Sequence, residues 1–145
     1  MPEPTIRRAA GQDAPRLAEL SGVLGYPAAA AELGVRLERL LASSQDIVLV
    51  AESATGETVG WLHGAEQELL ESGRRCEILG LVIDPEHRGQ GIGRCLVAAV
   101  EAWARARDLK QMTVRSNVVR TESHPFYERL GYARAKTQHA YRKRL

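Results

Sequence analysis

Arg88-Gly89-Gln90-Gly91-Ile92-Gly93 places three glycines at alternate positions immediately ahead of an apolar stripe at helical spacing. A glycine-rich turn that opens into a helix is an anion site. The free N–H groups of the first helical turn converge, the helix dipole adds positive potential, and missing Cβ atoms allow close approach. The phosphate-loop spacing GxxxxGK[ST] is absent, because Gly93 is followed by Arg94-Cys95. The dinucleotide spacing GxGxxG fails as well. Its third glycine falls on Leu96 when counted from Gly91, and on Ile92 when counted from Gly89. A second candidate is Glu77, a carboxylate set among apolar neighbours, where a charge without a role is costly. The alternative for Glu77 is a strand residue facing solvent through the pleat. No second His stands at ligand spacing from His124, so no metal site is expected.

These residues need a strand, a turn and a helix to position them. Cys76 to Ile83 is short, apolar and branched, which predicts a buried strand, and Asp84-Pro85 stops it. Ile92, Leu96, Val100 and Trp103, widened by Ala99 and Ala104, predict a helix reaching Arg107. Upstream, Thr5–Ala9 reads as a strand, and Asp13 as the N-cap of a helix through Leu20. A loop follows from Ser21 to Pro27, then a second helix from about Pro27 with Leu33, Leu37, Leu40 and Leu41 as its stripe. Asp46–Glu52 and Thr58 to about Glu68 form a hairpin around Ala54–Glu57, and Leu69 to Arg75 loops back. Met112–Ser116 is expected parallel to the central strand across the helical crossover. Ser123–Leu130 reads as a short helix closed by Gly131, and Tyr132–Lys136 and Gln138–Lys143 as closing strands.

At 145 residues, 44% hydrophobic and 26% charged, the chain is expected to be a single domain, 1–145, with a real core. A net charge of +2 is too small to imply nucleic acid, and the basic Arg142-Lys143-Arg144 reads as a solvated end. No apolar run approaches the ~20 residues of a membrane span, and Met1-Pro2-Glu3-Pro4 does not read as a signal peptide. Cys76 and Cys95 lack CxxC spacing and are expected to be reduced core thiols, which points to the cytoplasm.

Arg-x-x-Gly-x-Gly after a strand ending Val-Ile-Asp-Pro resembles the pyrophosphate-binding motif of the GNAT acyl-CoA N-acetyltransferase superfamily. The run Arg115-Ser116-Asn117-Val118-Val119-Arg120, followed by Phe126-Tyr127-Glu128-Arg129-Leu130-Gly131-Tyr132, is similar to that family's second motif. The specific likeness covers about Glu77 to Tyr132. The resemblance implies an α/β GNAT fold, with a mixed six- to seven-stranded sheet, a splayed central strand pair and about four helices. Gly80, inside an otherwise bulky strand, suggests a bulge or close backbone approach. In the family a bulge here splays two strands and admits pantetheine.

The implied cofactor contacts are the backbone of Leu81, Val82 and Ile83 for pantetheine, and Arg88, Gly89, Gln90, Gly91, Ile92, Gly93 and Arg94 for pyrophosphate. Asn117 resembles the residue bonding the pantetheine arm; its alternative role is a strand-ending turn. Tyr127 matches the position of the acid that protonates the departing thiolate; its alternative is a core aromatic beside Phe126. Glu77 resembles the base used by some members, and a water chain is the other route. The implied activity is acetyl transfer from acetyl-CoA to a primary amine of a small molecule, by direct attack in a ternary complex. The loop Gly22–Pro27, Trp61, His63 and the acidic Glu66, Glu68 and Glu71 are expected to select the acceptor. A protein or peptide acetyltransferase and a non-catalytic acyl-CoA sensor are the alternatives, and a homodimer is left open.

Overall fold

Two long antiparallel strands carry the sheet. The computed structural model describes residues 3–116 and 123–145. It forms two compact units, Met1–Val114 and Arg115–Leu145. In the first, β1 (Thr5–Arg8), β2 (Asp46–Glu52), β3 (Thr58–Leu69), β4 (Gly73–Ile83) and β5 (Met112–Val114) form one sheet in sequential order. The first four are antiparallel to their neighbours, and β5 runs parallel to β4. The helices of this unit are α1 (Ala14–Leu24), α2 (Ala30–Ala42) and α3 (Ile92–Ala106). The second unit holds α4 (Ser123–Arg129).

β2 is buried continuously from Ile47 to Ala51, because helices cover both of its faces. On one face Val48 and Val50 pack with Ala9, Ala14, Leu17 and Leu37, with Leu33, Leu40 and Trp61 at the margin. On the other, α3 turns Ile92, Leu96, Val97, Val100 and Ala104 inward. That helix also lies directly on the β3 backbone: a Cβ on Gly64 would stand 2.7 Å from Val100 Cγ2. Trp103 is half-buried, with the Arg107 guanidinium 4.7 Å above its ring.

Several boundaries differ from the sequence expectation. Asp13 is not a side-chain N-cap. It lies in a 3-10 turn, Gly11–Asp13, and its carboxylate accepts from the Arg7 guanidinium at 2.8 and 2.9 Å and from Ala10 N at 2.7 Å. That pairing holds its pKa below the usual carboxylate range. The helix continues past Leu20 to Leu24, with the Ser21 hydroxyl turned back onto Leu17 O at 2.9 Å, and ends at Gly25 with φ +94°. α2 begins three residues after Pro27, at Ala30, and leaves Leu41 exposed.

β4 starts at Gly73, so the expected loop shortens to a tight hairpin between Leu69 and Gly73. The described residues form five strands, not six or seven. Tyr132–Lys136 and Gln138–Lys143 form no strand. Their mixed aromatic and basic side chains are almost all exposed, so neither segment has an apolar face to commit to a sheet. Among the described residues no helix is long and apolar enough to cross a membrane.

Candidate active site

The β3–β4 ladder breaks once. His63 pairs with Gly80 and Gly64 pairs with Ile78, so Leu79 is an extra, bulged residue, 47% exposed. The bulge expected around Gly80 is therefore present, one residue earlier, and Gly80 has its own reason. A Cβ there would stand 2.8 Å from Trp61 Cζ3 and 2.9 Å from Cη2, so the indole occupies that space. β5 pairs with β4 only at Cys76, Glu77 and Ile78. From Leu79 to Ile83, β3 is the only strand neighbour of β4 among the described residues. Leu81, Val82 and Ile83 lie in this half-paired stretch.

β4 ends at Ile83, and Asp84 opens a 3-10 turn, Pro85–His87, by accepting from Glu86 N at 3.0 Å. The loop that follows has left-handed backbone at Gly89 (φ +78°) and Gly91 (φ +80°), and Gly91 is the N-cap of α3. An L side chain is strained at either position. Cys95 N makes the first intrahelical bond, to Gly91 O at 3.1 Å. The earlier N–H groups, of Ile92, Gly93 and Arg94, have no helical carbonyl to bond, as at any helix start. Arg88, Gly89, Gln90 and Arg94 are exposed, whereas Ile92 and Gly93 are buried and anchor the turn. The Arg94 side chain folds back over the loop: a Cβ on Gly91 would be 3.2 Å from its Nη2. The residues fit a pyrophosphate on this cradle: free N–H groups, two guanidinium side chains, and no Cβ in the way.

Glu77 is 4% exposed, so it does not face solvent through the pleat. Its Oε1 accepts from Thr113 Oγ1 at 3.1 Å and from Arg75 Nη2 at 3.3 Å. Thr113 is its register partner on β5. Tyr127 is a half-buried residue of α4, in the second unit. It meets Phe126 edge-on at 5.0 Å and Tyr132 at 5.9 Å, and its carbonyl accepts from Leu130 N and Tyr132 N. The structure thus gathers Leu81–Ile83, the Arg88–Arg94 cradle and Glu77 on one unit. Asn117 lies outside the described residues.

The residues expected to select the acceptor hold one correction and one surprise. Glu66 is not an open carboxylate. Arg74 Nε and Arg107 Nε each donate to it at 2.9 Å, and the Arg74 bond leads in holding its pKa low. Glu68 and Glu71 are exposed. His63 Nε2–H donates to Asp46 Oδ1 at 2.8 Å, and Asp46 Oδ2 accepts from Ser43 Oγ at 2.7 Å. Sequence reading missed Asp46, whose position at the mouth of β2 gives no local signal; only its place diagonal to His63 across the ladder does.

Comparison with known proteins gives the family and the fold. The profile of the acetyltransferase (GNAT) family matches residues 17–132. An aminoglycoside N(6')-acetyltransferase type 1 of Stenotrophomonas maltophilia is 31% identical over 133 residues, covering 89% of this chain and 86% of that protein. The fold matches the aminoglycoside 6'-N-acetyltransferase AAC(6')-Ih of Acinetobacter baumannii with TM-score 0.86 at 18% identity, over 98% of this chain and 99% of that one. It also matches AAC(6')-Iy in complex with a bisubstrate analogue of CoA, with TM-score 0.88 at 19% identity, over 99% and 100%. The family match and the Stenotrophomonas relative make this an acyl-CoA-dependent N-acetyltransferase with acetyl-CoA as acyl donor. The chain belongs to the acetyltransferase (GNAT) family.

Proposed function

We propose that this protein transfers an acetyl group from acetyl-CoA to a primary amine of a small cationic molecule, by direct attack in a ternary complex. The observation that carries the reading is the loss of a β5 neighbour after Ile78, on a strand that leads directly into the glycine cradle. A strand edge that no described strand covers from Leu79 to Ile83 suits pantetheine, whose amides pair as an added strand. Asp84 N–H donates to Val59 O on β3 at 2.8 Å, so by alternation the N–H groups of Ile83 and Leu81 point to the free edge. The family match runs through both units, which supports reading residues 1–145 as one acetyltransferase domain.

Transfer needs a deprotonated amine, stabilisation of the carbonyl oxygen as it becomes anionic, and protonation of the thiolate. In this reading Tyr127 gives its phenolic proton to the leaving sulfur, and Asn117 bonds the pantetheine arm. Glu77 takes the amine's proton, directly or through a water chain. Its burial supports a base role, and the bonds from Arg75 and Thr113 fix the position of its carboxylate. The likeness to the Stenotrophomonas enzyme over most of both chains supports an amino sugar or similar polyamine as acceptor. Release of free CoA, followed across a panel of aminoglycosides, polyamines and peptides, tests it. Aminoglycoside-class amines should give the highest kcat/KM, and turnover confined to peptides would reject the small-molecule reading.

A further inference from the structure

We propose that Arg16 of α1 is a positioning residue for the acetyl-CoA pyrophosphate, acting through Asp84 on the loop that forms the cradle. The proposal rests on the reading of that loop as the pyrophosphate site. Arg16 uses its whole guanidinium fork. Nη2 bonds Asp84 Oδ2 at 2.7 Å, Nε bonds Thr58 O at 2.9 Å, and Nη1 bonds Glu19 Oε2 at 2.9 Å. Glu57 stands 3.6 Å from Nη2. One side chain thereby ties α1 to the start of β3 and to the end of β4.

Asp84 is held on every polar atom. Its N–H donates to Val59 O at 2.8 Å, its carbonyl accepts from His87 N at 2.9 Å, and Oδ1 accepts from Glu86 N. Oδ2 belongs to Arg16, with His87 Nδ1 at 3.7 Å. The loop beyond it contains two left-handed glycines, which lose more conformational entropy on ordering than any other residue. A fixed entry point narrows the loop's conformations before ligand arrives, and pre-organisation of this kind appears as affinity. Arginine suits the place because each of its three nitrogens meets a separate acceptor; lysine offers a single ammonium.

The test compares Arg16→Met and Arg16→Lys with the unaltered protein in two assays. In amide hydrogen exchange without ligand, Arg16→Met should speed exchange over Glu86–Gly91 about tenfold and leave β2, the body of β3 beyond its first residues and the body of α3 unchanged. That is the scale of losing one charge-assisted bond. In steady-state kinetics, KM for acetyl-CoA should rise about tenfold with kcat within about twofold. Acetyl-pantetheine, which lacks the pyrophosphate, should be used as well as before. Arg16→Lys should fall between. Asp84→Asn, whose amide oxygen still accepts from Glu86 N, should reproduce Arg16→Met and carries the test if that variant does not fold.

Unchanged loop exchange with unchanged KM overturns the proposal. So does faster exchange across the whole unit with equal losses for both donors, which would make Arg16 a general stabilising residue. If the unaltered protein does not bind acetyl-CoA, the functional reading fails, while loop exchange still decides whether Arg16 holds the loop.

Discussion

The six-membered ring of Trp61 lies where a side chain on Gly80 would be, 2.8 Å from the position of its Cβ. Two cross-strand neighbours of the β3–β4 ladder are thereby coupled beside the bulge at Leu79. Gly80→Ala should push the indole off the sheet and out of its contact with the α1/α2 core. The cost should be about 1–3 kcal/mol, as for other overpacked sites. Trp61→Phe, a shorter ring, should relieve much of that in the double variant. A double-mutant cycle by urea unfolding checks this; additive losses would mean the two residues do not meet.

Glu77→Gln keeps an acceptor for Thr113 and a similar shape, and removes the charge. If Glu77 is the base, the acylation rate should fall by ~10² to 10⁴, most severely at low pH where the ammonium holds its proton, with acetyl-CoA affinity nearly intact. A loss under about threefold assigns Glu77 to the Arg75–Thr113 contact alone, and leaves the proton to water.

Tyr127→Phe keeps the ring and its edge contacts with Phe126 and Tyr132. Loss of the proposed acid should lower kcat by ~10² to 10⁴ and move KM for acetyl-CoA little. A thioester with a more acidic thiol should recover part of the rate. Full activity refutes the acid role, and a large loss without rescue makes Tyr127 a residue that positions the sulfur.

What can be read from the sequence is local. The cradle, α3 and the Ala54–Glu57 turn are contiguous, and each is specified by glycine placement or by apolar spacing. Gly80 is legible as a site of irregularity, but its cause, Trp61, lies far upstream on another strand. Arg16 and Asp84 are 68 residues apart, and Asp46 and His63 are 17 apart. Neither pair is joined by a local pattern, so each residue alone reads as a surface charge or a cap. The strands expected from Tyr132 onward have no apolar face, which leaves too little to hold a sheet edge.

Cys76 is fully buried, and burial pushes its thiol pKa up to about 11. The folded state therefore holds this proton more tightly than the unfolded chain, whose thiol titrates near ~8.5. Stability from this group is complete below about pH 8.5 and declines as pH rises toward 11. Unfolding free energies measured from about pH 7 to about pH 10.5 should fall over the upper part of that range, and Cys76→Ala should flatten the slope. At about pH 8 a thiol reagent should label half-buried Cys95 alone in the native protein, and Cys76 only after denaturation.

The central claim is that the Arg88–Gly93 loop binds the pyrophosphate of acetyl-CoA, and calorimetry on Gly91→Glu tests it most directly. Glutamate puts a Cβ at φ +80°, against Arg94, and a negative charge at the mouth of the cradle. Acetyl-CoA binding should be abolished while circular dichroism shows the fold retained. Undiminished affinity in the folded variant would contradict the account.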